Sequence, residues 1–216
     1  MIYPFWSVIW PYFVTAAAAS YLMGSVPFGL VLTRLAGLGD VRKIGSGNIG
    51  ATNVLRTGNK PLALVTLILD GGKGALAVAI GNAYWGPEIA IVAAFGSLMG
   101  HLFPIWLRFR GGKGAAIGLG ILLALAWPVG IAACLTWFAV AVMFRYSSLA
   151  ALVAFATSPV FAWWFANPQT MEFVAFMAVV IWLKHAGNIR RLLRGEEPRI
   201  GNNSQSDPGR QPDRQS

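Results

Sequence analysis

The glycine-rich stretch 39–56 carries the side chains best suited to binding phosphate. Its glycines allow successive backbone N–H groups to point into one concavity, which suits phosphate oxygens. Small polar side chains add hydrogen-bond donors, and Arg56 adds a charge that can bind two oxygens at once. The candidate residues besides Arg56 are Gly45, Ser46, Gly47, Asn48, Thr52 and Asn53. The stretch 39–56 is not a Walker loop, because Ala51-Thr52 occupies the position where that motif requires Lys-Ser/Thr. The alternative interpretation is a linker whose polar residues only form turns.

A second glycine-rich stretch, 100–114, ends where an apolar segment begins. Gly111 and Gly112 precede a predicted helix start, and the N–H groups at a helix N-terminus favour an anion. Lys113 is placed to meet that anion. His101 is a further binding candidate, although an interfacial histidine whose ring bonds to the backbone would have the same position.

Helical spacing produces two more candidate pairs. Asp70 and Lys73 are three residues apart inside an apolar segment, so they share a helix face and can form an ion pair. Such a pair serves function or is purely structural. His185 and Asn188 have the same spacing at the end of the last apolar segment and can face one substrate together, unless this is an ordinary basic helix end. Ser147 is the last binding candidate, although it could simply cap a helix.

The elements that position these residues are predicted to be membrane-spanning helices. The chain is 56% apolar and 12% charged, and that charged fraction is about half that of a soluble domain. Apolar segments of spanning length cover 8–35, 61–83, 87–107, 115–144, 149–166 and 170–184. The fourth is about 45 Å long as one helix, too long for a bilayer, so we expect a break at Pro128. The predicted fold class is an all-α transmembrane bundle of seven spans with glycine-rich cytoplasmic loops.

The distribution of charge supports seven crossings. The net charge is +9, and Lys and Arg fall almost entirely in alternate connections, whereas the others carry only Glu88 and Glu172. Cytoplasmic loops hold the excess of Lys and Arg. We therefore expect a multi-pass protein of the bacterial inner membrane, with a periplasmic N-terminus and the C-terminus and candidate site in the cytoplasm.

Residues 1–201 are predicted to form the membrane domain, and the polar tail 202–216 is predicted to be disordered. The basic residues form no continuous stripe, which argues against nucleic acid.

Several other chemistries are not supported by the residue inventory. Two His, one Cys and few carboxylates give no metal-ligand spacing. No Ser-His-Asp arrangement is indicated. A His–Asp pair with four residues between them, as used by acyl-CoA-dependent acyltransferases, is also missing, because Trp106 follows His101 and Arg190 follows His185 at the required position.

Five motifs in order resemble those of the bacterial membrane glycerol-3-phosphate acyltransferases that use acyl phosphate as donor. The motifs are Gly24-Ser-Val-Pro-Phe-Gly29, residues 45–56, Asp70-Gly-Gly-Lys-Gly74, residues 100–104 with 111–114, and His185-Ala-Gly-Asn188. The resemblance covers about residues 14 to 200. Ile49 replaces the proline usual in the first loop, which affects loop rigidity more than chemistry.

The resemblance implies that the 1-hydroxyl of glycerol 3-phosphate attacks a long-chain acyl phosphate, releasing inorganic phosphate and leaving lysophosphatidic acid. It implies no metal, coenzyme A or other cofactor, and partners limited to the two substrates and membrane lipid. Ser46, the loop donors and Arg56 would hold phosphate, Lys113 would neutralise phosphate and the developing oxyanion, and His185 with Asn188 would orient glycerol 3-phosphate. The rival hypothesis is a transporter of a phosphorylated organic anion, which would need polar groups near the membrane midplane.

Overall fold

The structure is a computed structural model that describes the backbone of residues 3–201 and the side chains of residues 9–201. This part of the chain is all-helical, as predicted. Its α-helices are Tyr3–Gly24 (α1), Phe28–Leu35 (α2), Ala51–Leu55 (α3), Lys60–Trp85 (α4), Pro87–Leu102 (α5), Ala115–Leu125 (α6), Trp127–Phe144 (α7), Ser147–Phe165 (α8), Pro168–Lys184 (α9) and Ala186–Leu193 (α10). The predicted tail 202–216 lies outside the described residues.

Seven of these helices correspond to the seven predicted spans, but not all of them meet the length of a span. Within the described residues, five segments are long and apolar enough to cross a membrane, or six if α9 and α10, bent by 61°, form one broken span. The exception is α6, whose 11 residues measure about 16 Å against about 30 Å of hydrocarbon. Five to six spans are therefore supported, and the seventh stays a prediction.

The predicted break at Pro128 is present, because α6 ends at Leu125 and Pro128 lies in the first turn of α7. Gly130 lies directly on the backbone of Leu122 and Leu123, so close that a Cβ there would overlap it. That contact requires the chain to fold back after α6. The first predicted segment is also broken, between α1 and α2, at Val26-Pro27.

Small residues bring the helices close together, as is usual where helices pack in lipid. On α5, Gly96 and Gly100 leave no room for a Cβ against α1. Gly120 of α6 lies against the backbone of Gly71 in α4 in the same way. A cluster of fully buried side chains from α5, α6, α8 and α9 forms the centre of the bundle and includes Leu98, Ile117, Phe155 and Ile181.

The predicted Asp70–Lys73 pair is confirmed inside α4, with 2.7 Å between Lys73 Nζ and Asp70 Oδ1. Lys73 Nζ also donates to the carbonyl of Val26 at 2.8 Å, at the break between α1 and α2. Lys73 therefore has a structural role, because it ties the break in the first apolar segment to α4.

Candidate active site

Four connections between helices meet at one end of the bundle and enclose a cavity of about 340 Å³. The predicted site residues that line it are Ser46, Asn48, Thr52, Asn53, Arg56, His101, Lys113, Ser147, His185 and Asn188. These residues come from parts of the sequence that are far apart, so the fold confirms that they share one cavity. Gly45, Gly47, Gly111 and Gly112 do not line it.

The loop 39–56 is organised around the buried amide of Asn53. Its Nδ2 donates to the carbonyls of Val41, Ile44 and Asn48 at 2.7–3.0 Å. Its Oδ1 accepts from the Ser46 backbone N–H at 3.2 Å and from Arg56 Nη1 at 3.1 Å. The expectation that Asn53 binds phosphate is therefore wrong, since its amide nitrogen and its amide oxygen both form hydrogen bonds within the loop. Asn53 instead positions Ser46 and Arg56.

Glycines of this loop shape turns rather than line the cavity. Gly45 and Gly47 have φ values of 54° and 70°, a backbone conformation that favours glycine. The Gly47 N–H donates to the carbonyl of Ile44 at 3.0 Å and is not free for an anion. Ile49 is 2% exposed and packs with Leu30 and Val54, which anchors the loop.

Lys113 begins a chain of short hydrogen bonds across the polar end of the cavity. Its Nζ donates to Asn188 Oδ1 at 2.6 Å, and Asn188 Nδ2 donates to Glu197 Oε1 at 2.6 Å. Arg191 Nε donates to the other carboxylate oxygen of Glu197 at 2.7 Å. His185 and Asn188 both line the cavity, but a turn at His185 separates α9 from α10, so the two residues do not share one regular helix face as the spacing predicted.

Sequence reasoning missed Glu197, which lines the cavity and is 8% exposed. Burial acts to raise the pKa of this carboxyl, but hydrogen bonds from Ser148, Asn188 and Arg191 outweigh burial and place its pKa below the usual value. Glu197 is therefore ionised at neutral pH. The available signal for Glu197 in the sequence was a carboxylate within a strongly basic C-terminal stretch. The spacing of residues alone does not show that the chain folds back to the cavity after α10.

The two cations that face the cavity are partly desolvated. Burial, together with the positive charge of Arg191, lowers the pKa of Lys113 to about 8. Burial likewise lowers the pKa of Arg56, but a guanidinium keeps its charge in proteins. With Arg191 and Glu197 beside them, this end of the cavity has a net positive charge at neutral pH and favours a phosphate dianion.

Gly111 and Gly112 do not offer their N–H groups to an anion, which corrects the expectation from the sequence. The Gly111 N–H donates to the carbonyl of Leu102 at 3.2 Å, and the Gly112 N–H donates to that of His101 at 3.0 Å. A Cβ on either glycine would overlap this part of α5. The two glycines therefore lay the loop against α5 and fix the point from which Lys113 extends.

Two predicted polar residues have defined partners in the cavity wall. His185 Nδ1 lies 2.8 Å from the carbonyl oxygen of Ile181, which can only accept, so Nδ1 carries the hydrogen and Nε2 is free to accept one. Ser147 Oγ lies 2.9 Å from Thr52 Oγ1, which joins the loop 39–56 to α8. The alternative interpretation of Ser147 as a helix cap is wrong, because no side chain caps α8. The neighbouring Ser148 Oγ donates to Glu197.

Apolar side chains continue the cavity away from the polar end, between α4, α6 and α7. This apolar arm is lined by Leu67, Leu119, Cys134, Trp137 and Phe138. Leu67 is 42% and Phe138 63% exposed on the outer surface of the bundle. In a membrane that surface faces lipid, so the apolar arm opens towards the acyl chains of the bilayer.

Comparisons with known proteins show which family this chain resembles. The profile of the family described as glycerol-3-phosphate acyltransferase matches residues 14–195. A glycerol-3-phosphate acyltransferase of Paramagnetospirillum magneticum is 61% identical over 188 residues, which cover 87% of this chain and 94% of the relative. One of Rhodospirillum rubrum is 58% identical over 200 residues, covering 89% of this chain and 93% of the relative.

Two solved structures share the fold over almost their whole length. A crystal structure of PlsY, an integral membrane glycerol 3-phosphate acyltransferase, in its glycerol 3-phosphate form superposes with a TM-score of 0.82 at 32% identity, covering 88% of this chain and 96% of that one. Its lysophosphatidic acid form gives a TM-score of 0.80 at 31% identity, covering 88% and 95%. On its sequence, its fold and the extent of these matches, the chain belongs to the integral-membrane, PlsY-type glycerol-3-phosphate acyltransferase family.

Proposed function

We propose that this protein transfers a long-chain acyl group from acyl phosphate to the 1-hydroxyl of glycerol 3-phosphate, giving lysophosphatidic acid and inorganic phosphate. The observation that carries the proposal is the single cavity with two unlike ends. Its cationic end suits phosphate and its apolar arm suits an acyl chain. Lysophosphatidic acid, after which one form of the related structure is named, has the same two parts.

The polar end supplies the groups that both substrates need. Ser46 and Thr52 offer hydroxyls, Asn48 offers an amide, and Arg56 and Lys113 offer positive charge. Hydrogen bonds from charged donors to phosphate are about twice as strong as neutral ones, and they gain further where water is excluded. These residues hold the two phosphate groups and bring the reacting atoms together, which is the main contribution expected where no protein nucleophile is required.

The reaction is direct attack on a mixed anhydride. The 1-hydroxyl oxygen of glycerol 3-phosphate forms a bond to the acyl carbonyl carbon, and the bond from that carbon to the phosphate oxygen breaks. The hydroxyl proton ends on the released phosphate. His185 Nε2 accepts the hydrogen bond of the hydroxyl and orients it, while Asn188 positions Lys113 beside the developing oxyanion. A covalent acyl group trapped on Ser46 would contradict this mechanism.

The orientation follows from the basic connections. The polar end of the cavity is built from the loops that carry most of the Lys and Arg, and such loops are retained in the cytoplasm. We therefore place the active site at the cytoplasmic surface of the inner membrane, where soluble glycerol 3-phosphate meets a lipid donor. The transporter alternative would need its phosphate-binding cations near the membrane midplane, whereas Arg56 and Lys113 line the cavity where the connections between helices meet.

The acyl donor can be tested with purified protein and labelled glycerol 3-phosphate. We expect labelled lysophosphatidic acid with palmitoyl phosphate and none with palmitoyl-CoA, because the cavity has a phosphate site and its chemistry uses phosphate as leaving group. Each incubation without protein is the control. Product from the CoA ester alone would contradict the donor assignment, and product from neither would contradict the acyltransferase function.

The pH dependence should report Lys113. Because the charged form binds phosphate and the pKa of Lys113 in the free protein is about 8, we expect kcat/KM for glycerol 3-phosphate to fall as pH rises through about 8. Below that pH, Lys113 is charged and the value should be level until the substrate phosphate protonates near pH ~6. Initial rates across pH 6 to 10 measure this, with Lys113→Arg as the control because arginine stays charged throughout. A wild-type profile without the alkaline decline would contradict the assignment.

A further inference from the structure

A second polar cluster lies on the cavity wall, and the proposed reaction does not use it. Asp70 and His101 both line the cavity and are 1% and 4% exposed. His101 Nδ1 has no hydrogen-bond partner among the residues described and lies 3.8 Å from Asp70 Oδ1. The expected bond from the ring to the backbone is thus not made at Nδ1. A buried imidazole nitrogen left without a partner is costly, so the ring needs another reason to be here.

The opposite edge of the same ring touches the loop that presents Lys113. A Cβ on Gly112 would overlap His101 Nε2, so only glycine allows the loop to lie this close. The backbone reinforces the contact, because the Gly112 N–H donates to the His101 carbonyl at 3.0 Å. His101 is therefore in contact with the loop one residue before Lys113.

We propose that His101 is a positioning residue for Lys113: its ring seats the Gly111-Gly112 turn, and Asp70 holds the ring in place. The proposal deepens the proposed function and rests on it, since it assumes that Lys113 binds phosphate. His101 acts through the loop, and its effect on the reaction passes through the place at which the Lys113 side chain begins.

The role of Asp70 follows from charge and distance. Lys73 Nζ fixes the carboxylate by a 2.7 Å contact, so Asp70 cannot turn away from the ring. At 3.8 Å, Nδ1 is too far for a direct hydrogen bond, but the negative charge favours the tautomer with its hydrogen on Nδ1 and attracts that edge of the ring. The ring is thereby held between a fixed carboxylate on α4 and the glycine loop.

Loss of the contact between the His101 ring and the loop should raise the pKa of Lys113. The charged groups around Lys113 are Arg56, Lys184, Arg191 and Glu197. Burial is the main reason that the pKa of Lys113 lies at about 8 rather than at its usual value. A loop that is no longer seated on His101 lets the ammonium group become more hydrated, so its pKa should rise while its hold on phosphate weakens.

The test compares His101→Ala with wild type. We expect kcat/KM for glycerol 3-phosphate to fall at least about tenfold and the alkaline decline to move to higher pH than about 8. His101→Gln, which keeps polar atoms and bulk, should restore part of both. Ser97→Ala is the matched control, since it also removes a buried polar atom from α5. Within residues 9–201 that hydroxyl bonds only to the carbonyl of Ala94 in its own helix. An unchanged decline in both His101 variants would overturn the proposal.

A double-mutant cycle separates positioning from a general structural effect. In a Lys113→Arg background, His101→Ala should lower kcat/KM by less than about threefold, because the side chain that it positions is already altered. An equal loss in both backgrounds would overturn the proposal. If His101→Ala does not give folded protein by size exclusion and thermal melting, His101→Gln carries both comparisons. Wild type inactive with palmitoyl phosphate would instead count against the proposed function.

Discussion

Replacing Lys113 with alanine should lower kcat/KM for glycerol 3-phosphate by about 10²–10³-fold, the loss typical of removing one preorganised donor from developing negative charge. Lys113 is half-buried, faces the cavity and is held by Asn188 at 2.6 Å. Water therefore screens the charge of Lys113 poorly, and the ammonium group is held in one position. Arg56 alone would then face two phosphate groups, and the transition state would lose more than the ground state. Initial rates with palmitoyl phosphate measure the effect.

The control for this variant is Lys60→Ala, which removes an exposed lysine at the start of α4, outside the cavity. It should keep wild-type kinetics. Lys113→Arg should fall between the two, because arginine keeps the charge but its planar group does not fit a site shaped for an ammonium. Lys113→Ala with wild-type kcat/KM would show that Lys113 does not bind either phosphate.

Glu197→Ala should reduce both stability and activity. The carboxylate accepts from Ser148, Asn188 and Arg191, and its loss leaves buried donors without a partner. Losing charged hydrogen bonds of this kind costs about 2–3 kcal/mol, which corresponds to a melting temperature lower by about 5–10 °C. Activity should fall as well, because Asn188 is no longer held against Lys113. Thermal melting in detergent and kcat/KM measure the two effects.

The neighbouring residue provides a matched control for this variant. Glu196 is exposed and should tolerate alanine with little change, since an exposed carboxylate contributes little. Glu197→Gln should lie between, because an amide oxygen in the place of Oε1 can still accept from Ser148 and Asn188, whereas the bond from Arg191 is lost. Equal melting temperatures and rates for Glu197→Ala and Glu196→Ala would contradict the role given to Glu197.

The sequence predicted the helical frame and most residues around the cavity, because those depend on patterns that sequence displays. Apolar length located the segments, proline located the break after α6, and a spacing of three paired Asp70 with Lys73. The charge pattern predicted that the two glycine-rich loops lie on the same side of the membrane, and residues of both loops line one cavity. The short α6 is the exception. The length of an apolar segment in the sequence does not show whether a helix within it is long enough to cross the membrane.

Predictions failed where a loop satisfies its own hydrogen bonds. Asn53 and Gly112 have the right types to bind phosphate, yet the groups expected to do so are taken by neighbouring backbone. The hydrogen-bond partner of each group in a turn depends on the three-dimensional path of the chain. That path cannot be read from the type of any single residue. Glu197 was missed for the same reason, since the return of the chain after α10 is a tertiary feature.

Equilibrium binding of glycerol 3-phosphate tests whether the polar end of this cavity is a phosphate site. Purified protein in lipid nanodiscs at pH 7, without acyl donor, would be titrated calorimetrically as wild type, Lys60→Ala, Arg56→Ala and Lys113→Ala. We predict saturable binding to wild type and Lys60→Ala, and affinity at least about tenfold weaker in the other two variants. Wild-type affinity in both Arg56→Ala and Lys113→Ala would show that the polar end of the cavity is not the phosphate site.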